Sequence, residues 1–316
     1  MKYIVTGGAG FIGSYIVEAV AGSHEVVVID NFSSGKSENM SGFPENVRVL
    51  RGSITNLSLL RDAFKGADGV FHLAAIASVA RSVDNPLATH ETNLTGTLNV
   101  LLAARDCGVR KVVFSSSSAV YGDEQTLPKR ENMPPVPLSP YAVSKLAGEY
   151  YCNVFSELFG VKTVSLRYFN VFGPRQDQHS EYAAVIPKFI TRFIDNQPPI
   201  IFGDGMQTRD FVYIKDVVQA NMLAMQSSAT GTFNIGSGQK IDLNTLAGTL
   251  AEIMKVNLHP IHEKPRAGDI RDSVSDISAA KTTLGYQTRY SLDDGLGETI
   301  MWFCYKKSGI SRKGNL

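Results

Sequence analysis

Tyr141 and Lys145 stand four residues apart in the run Ser139-Pro140-Tyr141-Ala142-Val143-Ser144-Lys145. On a helix this spacing puts both side chains on one face. Pro140 suits a first helical position, where its missing N–H costs little, and Ser139 is placed to cap. A neighbouring ammonium and the positive end of a helix both favour a phenolate. A phenol that ordinarily ionises near ~10 can then serve as a base close to neutrality. Upstream lies Phe114-Ser115-Ser116-Ser117-Ser118. A hydroxyl there, on Ser117 or Ser118, can steady an oxygen being oxidised, although serines also cap and turn chains. A lone Tyr-x-x-x-Lys match is weak. Its weight here comes from its place at the start of a helix, about two dozen residues after the serines.

A second constellation opens the chain. Gly7-Gly8-Ala9-Gly10-Phe11-Ile12-Gly13 follows a short apolar run and begins an amphipathic one. Glycine lets the backbone turn sharply and approach a pyrophosphate, and the helix N-terminus offers unpaired N–H groups to the anion. Asp30 closes the next apolar run, at the distance expected of a carboxylate that accepts the adenosine ribose hydroxyls. Its charge repels a 2′-phosphate, which favours NAD over NADP. Lys36, nearby, leaves NADP open. The combined chemistry is hydride transfer through a nicotinamide.

The elements needed to position these groups are legible as a rhythm. β-branched runs at Tyr3–Thr6, Glu25–Ile29, Val47–Leu50, Gly69–Leu73, Arg110–Ser115 and Val161–Arg167 alternate with helical patterns. The helical patterns are Ile12–Ala21, Leu57–Phe64, Asn85–Cys107 and Tyr141–Phe159. This predicts an α/β fold: a Rossmann-type, doubly wound parallel sheet covered on both faces, with a smaller mixed α/β C-terminal substrate lobe. Mixed helix and loop are expected over 174–210. A helix at Val217–Met225 and a buried strand at Gly231–Ile235 would return the chain to the sheet. The expected division is 1–173 plus about 212–238 for the dinucleotide domain. The second lobe takes about 174–211 plus 239–304, and 305–316 forms a polar tail.

Composition narrows the class. The chain has 316 residues, 43% hydrophobic and 19% charged, with a formal net charge of +1. That suits a globular protein and gives no strong field for nucleic acid or membrane. Cys107, Cys152 and Cys304 are far apart, which argues against disulfides and fits a reducing cytoplasm. The first apolar run is too short for a signal peptide or anchor. No metal site is expected: His259-Pro260-Ile261-His262 has loose ligand spacing but reads as a structural feature.

The glycine loop, Asp30, the serines with Val120-Tyr121-Gly122, and Tyr141 with Lys145 together resemble the extended short-chain dehydrogenase/reductase family. Within it the chain is similar to NAD-dependent UDP-hexose 4-epimerases. Leu166-Arg167-Tyr168-Phe169-Asn170-Val171-Phe172-Gly173-Pro174-Arg175 and Gly203-Asp204-Gly205-Met206-Gln207-Thr208-Arg209-Asp210-Phe211 extend the resemblance over nearly the whole chain. It implies that Tyr141 is the acid/base, Lys145 its partner on the nicotinamide ribose, and Ser117 the catalytic serine. It implies NAD contacts at Gly7, Gly10, Phe11, Ile12, Gly13, Asp30 and Asn31. Further contacts would come from Ser53, Ile54, Leu73, Ala74, Ala75 and Tyr168. On the substrate side it implies Ser118, Asn170, Ala184, Val185 and Ser273, Arg209 and Arg266 on the diphosphate, and Asp269 on the uridine ribose. Planar guanidiniums suit phosphate oxygens. The implied reaction removes hydride and proton from the sugar C4 and returns them to the opposite face of a rotated 4-keto sugar. A homodimer is also implied, pairing helices at about 90–107 and 141–158.

Within the resemblance, related dehydratases and decarboxylases carry an acid just after the catalytic serine or threonine. Here Ser118, Ala119 and Val120 follow, which favours epimerisation. Ser273 stands where epimerases restricted to glucose and galactose resemble one another in carrying a bulky tyrosine. With Tyr182-Ala183-Ala184-Val185-Ile186-Pro187, it points to UDP-GlcNAc/UDP-GalNAc as well as UDP-Glc/UDP-Gal. Two positions depart from the pattern: Ser53 replaces a usual aspartate, and Ala77 replaces a frequent lysine. A UDP-uronic acid 4-epimerase, another nucleotide-sugar enzyme of the same fold and a non-catalytic NAD sensor remain as alternatives.

Overall fold

A computed structural model describes residues 1–177, 184–265 and 270–308. Seven strands form its central sheet: β1 (Lys2–Thr6), β2 (Glu25–Asp30), β3 (Val47–Arg51), β4 (Gly69–His72), β5 (Lys111–Ser117), β6 (Lys162–Tyr168) and, far along the chain, β11 (Gly231–Ile235). Every pairing is parallel, in the order β11-β6-β5-β4-β1-β2-β3. Successive side chains of a strand point to opposite faces. Tyr3 and Val5 therefore enter one core, with Ile16, Val17 and Val217, while Ile4 enters the other, with Phe64, Val100 and Phe155. Both faces are dry, which is why the strands read as unbroken apolar runs. The outermost strand, β3, differs: Arg48, Val49 and Arg51 are exposed, and charge on an edge discourages further pairing.

Helices α1 (Phe11–Ala21), α8 (Ile214–Gln226) and α10 (Ser278–Leu284) cover the first face. Helices α2 (Leu57–Phe64), α5 (Gly96–Asp106) and α6 (Pro140–Phe159) cover the other. Two short helices, α3 (Val79–Asp84) and α4 (Pro86–Thr89), lie against α6. In α6 the Ser139 hydroxyl accepts from the Ala142 N–H at 3.2 Å, Pro140 follows the cap, and Gly160 ends the helix at φ 70°. Glycine reaches that left-handed conformation without a Cβ penalty.

A third core holds the second lobe. Helices α7 (Val185–Ile194), α9 (Leu243–Met254) and α11 (Leu292–Ser308) meet around Phe189, Phe193, Leu250 and Phe303. Short strands stitch it together. β7 (Asn170–Phe172) pairs with β10 (Phe211–Tyr213), β8 (Ile200–Phe202) with β13 (Ile261–Glu263), and β9 (Thr208–Arg209) with β12 (Ile241–Asp242). Among the described residues no helix is long and apolar enough to cross a membrane.

Three expectations change. The helix expected over Asn85–Cys107 is α4, a π-type stretch at His90–Thr95, and α5. The segment 174–210 contains short strands that periodicity cannot reveal. Within 239–304, α10 does not join the second lobe: Ile277, Ala280, Leu284 and Tyr286 pack into the core beneath the sheet.

Helix α6 can approach the sheet because residue 148 is glycine. A Cβ there would fall 2.5 Å from the Phe114 ring. Gly148→Val is expected to cost ~1–3 kcal/mol through overpacking. A urea denaturation midpoint equal to that of the wild type would contradict this.

Candidate active site

The functional residues collect at the C-terminal edge of the sheet, where parallel α/β folds open a crevice. Three consecutive serines of β5 tie that edge to α6. The Ser115 carbonyl accepts from Lys145 Nζ at 2.7 Å. The Ser116 hydroxyl donates to the Glu149 carboxylate. The Ser117 hydroxyl shares a hydrogen bond with the Tyr141 phenol and accepts from the Ala119 N–H at 3.1 Å. Tyr141, Lys145 and Glu149 recur every fourth residue, so one face of α6 presents all three. Lys145 Nζ also lies 5.1 Å from the centre of the Phe114 ring and 5.8 Å from that of Tyr141.

Electrostatics here correct one expectation. Burial holds the Tyr141 phenol above its ordinary value, and the Ser117 hydrogen bond pulls it down only in part. Burial also pushes the Lys145 ammonium down to about 8, opposed by the Glu149 carboxylate and by Cys152. Desolvation disfavours both charged forms, so the polypeptide alone does not make the phenol acidic.

The residues at the glycine loop fit a dinucleotide. Gly10 precedes α1 without any side-chain cap, and the first turn holds no acid, so its N–H groups face outward to an anion. Gly7 has φ 73°, and a Cβ there would fall 2.7 Å from the Ala74 nitrogen. The loop therefore lies flush against Leu73-Ala74. Asp30 is buried, and its carboxylate accepts from the Ala9 N–H at 3.0 Å and the Phe32 N–H at 2.8 Å. A Cβ at residue 35 would sit 2.9 Å from both Asp30 oxygens, so Gly35 leaves that carboxylate edge uncovered. Lys36, which had left NADP open, is engaged by Asp177 at 2.9 Å. Asn31 accepts from the Ser33 N–H at 3.0 Å. Ser53 bonds Thr55 at 2.8 Å, and Ile54 packs against Gly96. Tyr168 is placed differently from the rest. Its ring lies in the core and its hydroxyl donates to Asn221 at 2.9 Å, so the side chain does not reach the crevice.

A cavity of about 710 Å³ opens between α3 and the second lobe. Asn170, Ala184, Val185 and Arg209 line it, together with Phe172, Phe202 and Phe211. Ser117, Ser118, Tyr141 and Ser273 are not among its walls. Ser273 is held beside them, its N–H donating to the Thr208 carbonyl at 3.1 Å. Arg266, Asp269, Tyr182 and Ala183 lie outside the described residues. Two glutamines in the wall are half satisfied. Gln176 donates to the Val171 carbonyl at 3.1 Å and Gln207 to the Phe202 carbonyl at 2.8 Å, while the side-chain oxygens of both are buried with no partner among the described residues. Buried acceptors are rarely left so. His262 is occupied structurally, 2.9 Å from the Gly203 carbonyl.

Several positioning residues escape sequence reasoning. Asn93, in the π-type stretch, binds both backbone groups of Ile76 and the Ser144 hydroxyl, so it locks the loop after β4 to α6. Asn99 holds the carbonyls of Ile54 and Thr55. Asp210, fully buried, gathers Ser237, Gly238 and Ser275 next to Arg209. A π-type irregularity often marks a functional site, but no pattern of residue types announces it.

Residues 3–236 match the NAD dependent epimerase/dehydratase family. The UDP-glucose 4-epimerase of Mycolicibacterium smegmatis is 39% identical over 310 residues, 96% of this chain and 98% of that one. A solved UDP-N-acetylglucosamine 4-epimerase from Methanobrevibacter ruminantium M1, in complex with UDP-N-acetylmuramic acid, superposes with a TM-score of 0.94 at 40% identity, covering 96% of this chain and 98% of that one. The UDP-glucuronic acid 4-epimerase from Bacillus cereus, solved with UDP-glucuronic acid and NAD, gives a TM-score of 0.90 at 32% identity, over 97% of this chain and all of the other. The chain belongs to this family. It is a UDP-sugar 4-epimerase, an isomerase whose cofactor is NAD.

His72 sits under the site, between the hydroxyls of Thr6 at 2.7 Å and Thr97 at 2.9 Å. Burial and the Lys145 charge push its imidazole down to about 3. The unfolded chain takes up this proton near pH ~6.5. The contribution is therefore complete above that pH and lost progressively down to about 3. His72→Asn should flatten the fall in unfolding free energy between those limits, which for one such group is about 1.4 kcal/mol per pH unit. An unchanged slope would contradict the assignment.

Proposed function

We propose that the enzyme inverts C4 of UDP-N-acetylhexosamines, UDP-GlcNAc to UDP-GalNAc, and also accepts UDP-Glc and UDP-Gal. The reading is supported by the cavity of about 710 Å³, whose wall carries the small Ala184 and the polar side chains of Asn170 and Gln176. Such space suits an added acetamido group, and a cavity admits the smaller hexoses as well. The small Ala184 and Ser273 leave space for the added group. In this reading the sheet and its helices form the NAD domain, and 174–211 with most of 239–304 holds the nucleotide sugar.

The residues then divide the work. Ser117 holds the sugar 4-oxygen beside the phenol. Tyr141 takes the 4-hydroxyl proton and later returns it to the inverted alcohol. Lys145 keeps a positive charge one turn from that phenol and reaches the cofactor ribose. Asn170 orients the sugar, and Arg209 with Arg266 and Asp269 grips the nucleotide while the 4-keto sugar turns over. Bound NAD supplies the hydride acceptor and donor, and a fixed positive charge that offsets the burial penalty on the phenolate.

Purified enzyme given UDP-GlcNAc should form UDP-GalNAc. Absence of that product alongside brisk UDP-glucose turnover would end the acetamido assignment. Tyr141→Phe should lower kcat at least ~100-fold, within the range of acid–base catalysis. Ser273→Tyr should reduce turnover of the acetamido sugar more than ~10-fold relative to UDP-glucose.

We further propose a homodimer through α6. Val143, Tyr150, Val154 and Leu158 form an exposed stripe along it, with Leu158 71% exposed. Val83 and Leu87, 61% and 81% exposed, lie on the adjoining α3 and α4, and the helical segment at 90–107 also packs beside α6. Contiguous apolar surface of this kind marks an interface. Leu158→Glu should convert a dimer to a monomer in analytical ultracentrifugation. A wild-type monomer at micromolar concentration would refute the dimer.

A further inference from the structure

Behind the reacting cluster lies a buried charge that the proposed chemistry does not use. Glu149 follows Lys145 by one turn and is 2% exposed. Its carboxylate accepts from Arg167 twice, from Nε at 2.9 Å and from Nη2 at 2.7 Å, and from the Ser116 hydroxyl. Arg167 is itself buried, with its guanidinium 4.8 Å from the centre of the Tyr121 ring. Ser116 and Arg167 face each other across β5 and β6 in register. An isolated carboxylate at such a depth would give up its charge; this one is fixed by a bidentate fork and a hydroxyl.

We infer that Glu149 is a positioning residue for catalysis, and that its carboxylate, braced by Arg167 and Ser116, holds Lys145 as an ammonium in the buried site. The inference rests on the role proposed for Lys145. The groups around that ammonium leave Glu149 as its support. On α6, Tyr141 is a neutral phenol and the Cys152 thiol is pushed up to about 12 by burial. On β4, His72 is neutral at physiological pH. On β5 the Ser115 carbonyl and the Phe114 ring, both uncharged, lie against it. On β6, the Tyr168 phenol is raised by burial, and Arg167 is engaged by Glu149 itself. Among the described residues in this shell, Glu149 supplies the negative charge. Burial weakens the ammonium and Glu149 opposes that burial, so without the carboxylate Lys145 would lose its proton closer to neutrality.

An ion pair too distant to act on Lys145 would affect stability and leave its titration alone, which separates the two roles. NAD-loaded protein labelled with [6-13C]lysine would be titrated by NMR, with the Lys145 signal assigned by its loss in Lys145→Met. Glu149→Gln keeps the size and an acceptor oxygen but removes the charge. Its Lys145 midpoint should fall by about one pH unit. The alkaline limb of UDP-sugar turnover should move down equally, with the acid limb unmoved. Should that variant fail to fold, the double variant Glu149→Met, Arg167→Met removes both charges with an apolar pair of similar size. A downward shift is expected there too, smaller because the Arg167 charge has also gone. A folded variant whose Lys145 midpoint matches the wild type overturns the inference. A shifted midpoint in a protein that epimerises no UDP-sugar upholds the charge coupling and refutes the proposed function instead.

Discussion

Burial of the Lys145 ammonium is the constraint around which this site is organised. A primary amine placed beneath the Tyr141 phenol has little water to stabilise it, and its proton affinity falls accordingly. The fold answers with directed polar groups: a carbonyl from Ser115, a carboxylate one turn along α6, and aromatic faces from Phe114 and Tyr141. The Ser115 carbonyl and the Phe114 ring require α6 to lie close against β5. Gly148 makes that approach possible, and the serine run of β5 supplies the hydrogen-bonding edge.

The same desolvation explains how activity can be confined to the loaded enzyme. With burial opposing both the phenolate and the ammonium, the polypeptide by itself holds Tyr141 as a poor base. A positive charge brought in by the cofactor is the missing contribution. In the proposed mechanism, proton removal from a sugar alcohol would then be coupled to the presence of a hydride acceptor, and an unpaired proton abstraction would be suppressed. His72, neutral and locked between two threonines, adds no competing charge beneath the site.

Substrate recognition follows a different physical logic. The cavity between α3 and the second lobe is walled by the aromatic rings of Phe172, Phe202 and Phe211, with Asn170 and Arg209 as polar groups among them. Apolar walls desolvate a ligand, and a few polar groups fix its orientation. Asp210 serves this wall from behind. By collecting backbone and hydroxyl donors from two distant segments, it fixes the strand on which Arg209 stands.

Much of this was legible in the residues alone. The six early strands, the capped helix carrying Tyr141 and Lys145, the glycine loop and Asp30 are local patterns: periodicity, turn chemistry and spacing act over a few residues. Strands of two or three residues in the second lobe carry no period, and the π-type stretch around Asn93 looks like ordinary helix in one dimension. Long-range geometry lay further out of reach. That Lys36 would be taken by Asp177, that α10 would pack beneath the sheet, and that Tyr168 would turn into the core all depend on partners distant in the chain. The chemistry was written in residue types and their spacing; the protonation energetics were not, because desolvation depends on what packs around a group, and only the assembled fold brings Glu149, Arg167 and Ser116 to Lys145.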